Sequence, residues 1–557
     1  MRCKLVVLLA LPFIINARDL GSPHILFSKI WGYLPEFSPL RMSPASGLQS
    51  IGPLSEGNAP LTIGPRATLE IVNAVISPDG FARSTVLAGG TFPATTITGT
   101  KGDRFEINVV NRLEDTTMLA DTTIHWHGLH QRGSSFADGT SFITQCPITP
   151  QHSFLYSFET PEQAGTYWYH SHLGSQSCDG LRGAFIIYDP ADPAAHLYDI
   201  DDASTVLTIA DWYHAPSIQQ HKAVSTLING QGRYPGGPAS PLAVVNVSYG
   251  KRYRFRLISM SCDAPNIFSI DSHPLTIIEV DGVNHQPLVV DSIEIFAGQR
   301  YSFILDARQR PDNYWIRVPP NGSSPPKYPF ANGVNLAILR YDTASREEPP
   351  LSASLNSKQP LVETDLHPLV AEPVPGRPVP GGADVNIYID IQRNLTTKKW
   401  FMNGVNFVPP KVPVLLQVLS GAKTALELLP KGAVYTLPAN KSIEISMPGG
   451  MKGAPHPMHL HGHTFHVVRS AGNESYNFEN PVIRDVVSLG RNLDDRTTFR
   501  FITDNAGPWF LHCHIDDHLE DGMAVVLVED APKVAEELEY PPVDWDELCP
   551  IYDKDQC

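Results

Sequence analysis

An all-β chain of three consecutive, related β-sandwich or barrel domains is predicted by three features of the sequence. Apolar and polar residues alternate in short runs, turn formers separate the runs, and one two-strand pattern recurs three times. The runs are DRFEINVV, HSFLYSFE, TVLTIADW, RYRFRLIS, RYSFILDA, NLAILRYD, SIEISMPG and TTFRFITD. Side chains alternate across a strand, so each run offers one face to a core and the other to water. Gly, Pro, Asn and Asp punctuate the runs at short intervals, the pattern of antiparallel sandwiches and barrels. Helical periodicity is scarce, and PKVAEELEY near the C-terminus is the best short helix.

The recurring unit is an aromatic-rich strand, a loop, and an apolar strand ending in an acid. It reads GTYWYHSH to GLRGAFIIYD, then DNYWIRVPP to VNLAILRYD, then GPWFLHCH to GMAVVLVED. Pro- and Asp-rich stretches near 190–202 and 343–384 divide the copies, which places domains at 61–190, 191–362 and 363–557. The middle copy lacks histidine, so the chemistry is expected in the outer two.

Composition bounds the partners. A charged fraction of 18% and a hydrophobic fraction of 42% over 557 residues describe a folded chain with several cores. The 42 basic and 58 acidic residues give a net charge of −16. Such a chain repels phosphate backbones, so nucleic acid is not an expected partner. Pro and Gly are plentiful but not periodic, which excludes a collagen-like chain.

The N-terminus reads MRCKLVVLLALPFIINARDL. A short basic region and an apolar run too short to span a membrane mark residues 1–17 as a secretory signal peptide. No later apolar run reaches spanning length, so a secreted, extracellular protein is expected. Sequons at Asn246, Asn321, Asn394, Asn440 and Asn473 fit a glycoprotein. Residues 18–60 are dense in turn formers without a period and read as an irregular extension. Cys3 leaves with the signal. Of Cys146, Cys178, Cys262, Cys513, Cys549 and Cys557, most should pair in an oxidising compartment. Cys513 lies between two histidines and looks reserved for metal, so one of the other five is left over. Spacing alone does not give the connectivity.

Thirteen of the 21 histidines fall in HWHGLH (125–130), HSH (170–172), HPMHLHGHTFH (456–466) and HCHIDDH (512–518). Chance would place roughly one His-x-His in such a chain. On a strand, residues two apart share a face, so His125/His127, His170/His172, His459/His461 and His512/His514 each present two imidazoles together. Eight imidazoles are too many for one ion and suit a cluster of three with positions open to oxygen. They come from both ends of the chain, so they meet only across a domain interface. Cys513 points away from His512 and His514, toward a separate site. A thiolate with two histidines, here His456 and His518, is the blue-copper donor set. The covalent path from Cys513 to its neighbours would wire that copper to the cluster. Zinc does no redox work and needs no wire.

At these residues the chain resembles the multicopper oxidases, most closely the laccases of basidiomycete fungi. The motifs are HWHGLHQRGSSFADGTSFITQCPI, GTYWYHSHLGSQSCDGLRGAFIIYD, HPMHLHGHTFHVVRSAG and GPWFLHCHIDDHLEDGMAVVL, within a likeness spanning about 61–552. The resemblance implies three cupredoxin-like Greek-key domains and four copper ions. The type 1 copper would use His456, Cys513 and His518. The type 2 copper would use His125 and His459. The type 3 pair would use His127, His170, His172, His461, His512 and His514. The resemblance also implies disulfides Cys146–Cys549 and Cys178–Cys262, leaving Cys557 as the odd thiol. Asp263 is expected to accept a proton or hydrogen bond from a phenol or arylamine, which becomes strongly acidic on losing an electron. Asp138 and Asp485 resemble acids around the cluster, with proton supply to reduced oxygen as their expected role.

Three positions depart from the family pattern. Met523 occupies the axial position, where fungal laccases usually carry Leu or Phe. A thioether ligand favours Cu(II) and lowers the potential. Asp517 replaces the usual aromatic beside His518. With Asp516, Glu520 and Asp521 it would form an acidic patch favouring cationic donors. His466 is expected to be a surface or packing residue.

These features point to a benzenediol:oxygen oxidoreductase that couples four one-electron oxidations of small phenols or arylamines to reduction of O2 to water. A ferroxidase is the alternative, and a copper store or electron carrier with a blue site only is the third reading. A monomer is expected, with Cys557 leaving a linked dimer open. Lignin phenols, pigment precursors and detoxification substrates all fit the enzyme reading.

Overall fold

The computed structural model describes residues 62–556, apart from 220–221, 264, 322–329, 331–332, 351–356, 451–454 and 540. The expected signal peptide, the 18–60 extension and Cys557 lie outside the described residues.

All eight alternating runs form strands, and the three copies of the repeat form three equivalent antiparallel pairs. β1 (Ile124–His127) lies beside β2 (Gly165–Ser171), which pairs with β3 (Arg182–Tyr188). β4 (Asn313–Arg317) pairs with β5 (Leu336–Tyr341). β6 (Pro457–Leu460) lies beside β7 (Gly507–Cys513), which pairs with β8 (Ala524–Glu529). A parallel strand flanks each pair on its far side, at Ala94–Thr100, Val244–Val247 and Val434–Leu437. Each five-stranded sheet faces a second sheet, of four, seven and five strands in turn. The architecture is therefore three β-sandwiches. The sheets are mixed rather than purely antiparallel. Alternation reports which face of a strand is buried but carries no information on strand direction.

In the first sandwich, Leu69, Phe105, Ile107 and Phe158 of one sheet pack with Ile97, Trp126, Tyr169 and Phe185 of the other. The middle and third sandwiches share one continuous apolar cluster running from Leu207 to Leu527. That continuity fixes the third sandwich against the middle one.

PKVAEELEY contributes only a single helical turn, Val534–Glu537. α1 (Asp516–Glu520) follows β7 directly. The longest helix is α2 (Val543–Asp555), which the sequence reading missed. Pro550 inside it argues against a helix, because proline lacks the N–H of the ladder. Asp544 and Asp546 in its first turn and Lys554 in its last suit the helix dipole. Trp545 and Leu548 are buried, Trp545 Nε1 donates to Thr144 O (3.0 Å), and Cys549 is bonded to Cys146. Packing and a covalent tie thus hold a helix that local propensity would not. The second disulfide is Cys178–Cys262, and Cys513 is buried and belongs to neither bridge. Among the described residues, no helix is long and apolar enough to cross a membrane.

Candidate metal centre

Strand register brings the histidine pairs together. On β1 and β2, His125 lies opposite His170, and on β6 and β7, His459 lies opposite His512. The two strand pairs come from different sandwiches and present their imidazoles to each other. The rings of His125 and His461 stack at 3.9 Å, and those of His127 and His459 at 3.8 Å. His172, His461 and His512 place nitrogen atoms within 4.8 Å of one another, as do His125, His127 and His170. His514 Nε2 lies 3.2 Å from His127 Nδ1. All eight predicted imidazoles therefore meet in one buried centre.

Hydrogen bonds aim the free lone pairs inward. His125 Nδ1 donates to Asp138 O (2.8 Å), His170 Nδ1 to Ser171 O (2.9 Å), His459 Nδ1 to Asp485 O (2.9 Å) and His512 Nδ1 to Cys513 O (3.0 Å). A ring that donates through Nδ1 presents Nε2 as an acceptor. Nε2 of His125, His170, His172 and His459 is buried without a hydrogen-bond partner. So many orphaned acceptors in one place fit a metal far better than a packed core. Burial first, then the neighbouring imidazoles, holds His127, His170, His172, His459 and His461 far below the usual histidine range. These rings are neutral, the form that ligates a metal.

Cys513 faces the other way, as alternation requires. Its Sγ lies 3.7 Å from His456 Nδ1 and 3.5 Å from His518 Nδ1, and those nitrogens are 3.1 Å apart. The trio is buried. α1 supplies His518 by turning the chain back immediately after β7. Trp400 packs edge-on against both rings, at 4.9 and 4.8 Å. Met523 is fully buried, and its carbonyl accepts from Cys513 N at 3.1 Å.

The predicted acids take different places. Asp138 Oδ2 lies 2.9 Å from His461 Nδ1 and accepts from Thr140 Oγ1 (2.8 Å). Asp485 Oδ1 lies 3.5 Å from His127 Nε2, and Arg300 holds its carboxylate with two bonds of 2.6 Å. Asp263 lies outside the histidine cluster. It lines a cavity of about 800 Å³ together with Asp517, His518 and Phe407. The backbone N–H groups of Cys262 and Asp263 both donate to Asp211, at 2.9 Å each. Asp211 is thus the buried anchor of that wall, a residue the sequence reading did not single out.

The acids around His518 do not form one exposed patch. Asp516 is half-buried, accepts from Ser177 Oγ (2.7 Å), and desolvation pushes its carboxyl up to about 8. Glu520 Oε1 accepts from Ser175 N (2.8 Å), and Asp521 pairs with Lys399 (2.9 Å). Lys222, Arg393 and Lys398 line the same cavity, so its charge is mixed. His466 is buried, and that burial lowers it to about 4, as for a packing residue. His463, also overlooked, donates from Nδ1 to His461 O (3.2 Å), and its Nε2 lies 3.1 Å from Glu529.

Multicopper oxidase family models match residues 70–192, 203–344 and 407–533, one stretch in each sandwich. The chain belongs to the multicopper oxidases. Among multicopper oxidases it is 56% identical to laccase-2 of Pleurotus ostreatus over 505 residues, covering 88% of this chain and 93% of that one. It is 57% identical to a laccase of Trametes hirsuta, covering 88% and 94%. Among solved structures, the multicopper oxidase Fet3p, which functions in iron import, superposes with a TM-score of 0.76 at 26% identity, covering 88% and 95%. Membership implies copper, and the inward-facing neutral imidazoles and the Cys–His–His trio suit it.

Proposed function

We propose that the protein is a secreted laccase. Four one-electron oxidations of phenols or arylamines, each releasing a proton, would supply the four electrons and four protons that turn O2 into two waters. The observation that carries this reading is that His518 belongs to the Cys513 trio and also lines the 800 Å³ cavity. An organic donor in that cavity would touch a ligand of the buried site directly.

The ligand sets divide as follows. His456, Cys513 and His518 would hold one copper. His125 and His459 would hold a second, and His127, His170, His172, His461, His512 and His514 a pair. Bound copper would supply one-electron redox chemistry at the first site and oxygen reduction at the other three. The residues around them orient and protect. Asp138 fixes the ring of His461, the Asp485 carbonyl fixes that of His459, and Trp400 shields His456 and His518 from water. Asp263 sits where it would accept the proton a phenol loses. The domains would run over 61–190, 191–362 and 363–557, one to each sandwich.

Two substitutions test the entry site. Asp263→Ala should lower kcat/KM for a methoxyphenol by about 10²-fold, the usual scale for losing a positioned base. Ferrocyanide, which has no proton to lose, should be oxidised at nearly the wild-type rate. Equal losses on both donors would sink the role. If Met523 is an axial ligand, Met523→Leu should raise the potential of the blue site in a redox titration. An unchanged potential would leave Met523 as a packing residue.

The test of the function itself is oxygen uptake by the copper-loaded protein with a methoxyphenol and, in parallel, with Fe(II). Uptake driven mainly by the phenol, without peroxide release and with about four coppers per chain, supports the laccase. Uptake driven mainly by Fe(II) would move the chain to the metal oxidases. The ties on Glu520 and Asp521 already weigh against an iron site there.

A further inference from the structure

We infer that Arg300, a residue of the ligand-free middle sandwich, is the positioning residue that sets the type 2 ligand His459, acting through Asp485. This rests on reading the eight-histidine centre as a copper cluster. Arg300 is fully buried at the junction of the three sandwiches. Its Nη1 and Nη2 each donate to one oxygen of Asp485 at 2.6 Å, on the third sandwich. Its Nε donates to Thr166 O (3.0 Å) on β2 of the first. Its Nη1 also donates to Gly298 O (3.0 Å), and its backbone N–H donates to Asp281 Oδ1 (2.8 Å), both in the middle sandwich.

Asp485 passes that constraint on. Its carbonyl receives the Nδ1–H of His459 (2.9 Å), and its carboxylate lies 3.5 Å from His127 Nε2. Gly298 closes the same wall. A Cβ there would come within 2.9 Å of both His127 Cε1 and His514 Cδ2. The loop therefore fits against the cluster only as glycine, and Arg300 bonds to that residue's carbonyl. The arrangement needs a planar fork. A lysine ammonium cannot meet both carboxylate oxygens, Thr166 O and Gly298 O at once.

Two readouts separate positioning from simple domain strapping. Copper-loaded Arg300→Lys is expected to bind the type 2 ion about 10- to 100-fold more weakly, as when other outer partners of metal ligands are lost. The type 2 signal in electron paramagnetic resonance should fall or change its hyperfine coupling, while the blue band of the Cys513 site is unaltered. Asp485→Asn, which keeps Arg300 but breaks the fork, should alter the same signal. It serves as the test if Arg300→Lys does not fold. Arg484→Lys is the comparison, since Arg484 joins Asp281 and Glu363 in the same buried network without bonding to Asp485. Loss of thermal stability in all three variants with the type 2 signal and its copper intact would overturn the inference. A wild-type protein without a type 2 signal would instead overturn the copper-cluster reading.

Discussion

Replacing Cys513 with serine is expected to abolish the blue absorption and cut oxygen uptake by ~10³-fold or more, the scale seen when a group without a substitute is removed. The thiol is fully buried, with two imidazole nitrogens at 3.5 and 3.7 Å. Serine nearly matches its volume, so the core of the third sandwich should survive. A hydroxyl stays protonated where a thiol gives a thiolate, and it lacks the soft sulfur that selects copper. Cys513 also lies between His512 and His514, so it would be the covalent junction of the two proposed ligand sets. The eight imidazoles are untouched, and copper analysis should find the cluster loaded and the single site empty. Persistent blue colour in the Cys513→Ser protein would mean that the trio is misassigned.

The second large effect concerns stability. Cys146–Cys549 closes a separation of 403 residues and ties α2 to the first sandwich. In the chain-entropy picture a bridge over so long a loop contributes about 4 kcal/mol or more. The double variant Cys146→Ser/Cys549→Ser should lose α2 from its seat, exposing Trp545 and Leu548. Its half-life on heating should shorten by orders of magnitude, and a rate is the proper measure for a large chain that unfolds irreversibly. Breaking Cys178–Cys262, with a separation of 84, should cost about 1 kcal/mol less through chain entropy. It should instead raise KM, because Cys262 adjoins Asp263 on the cavity wall. Equal thermal half-lives for the first variant and the parent would show that packing alone holds α2.

The metal centre was legible because its signal is local. Two histidines on one strand face need only a spacing of two, and the same rule separates Cys513 from its neighbours. The repeat was legible because three strand pairs carry one residue pattern, an aromatic-rich strand and then an apolar strand ending in an acid. What the sequence concealed lies between distant segments. Arg300 sits in RYSFILDA, which reads as any half-buried strand, and nothing local marks it as the partner of Asp485. Asp516 and Glu520 looked like surface charge. Only the approach of Ser177 and Ser175 from the first sandwich gives them hydrogen-bond partners there. α2 was concealed for a third reason, since Pro550 gives a true local warning that tertiary packing overrides.

The opposed histidines carry a consequence for biogenesis. A β-strand shifted by one residue against its neighbour turns every side chain to the opposite face. Since His125 faces His170 across one strand pair and His459 faces His512 across the other, a single slip in either would scatter half the donors. A misregistered chain could still bury most of its apolar surface, but it could not take up a full complement of copper. Metal content would then act as a proofreading mark, distinguishing correctly threaded molecules from compact impostors.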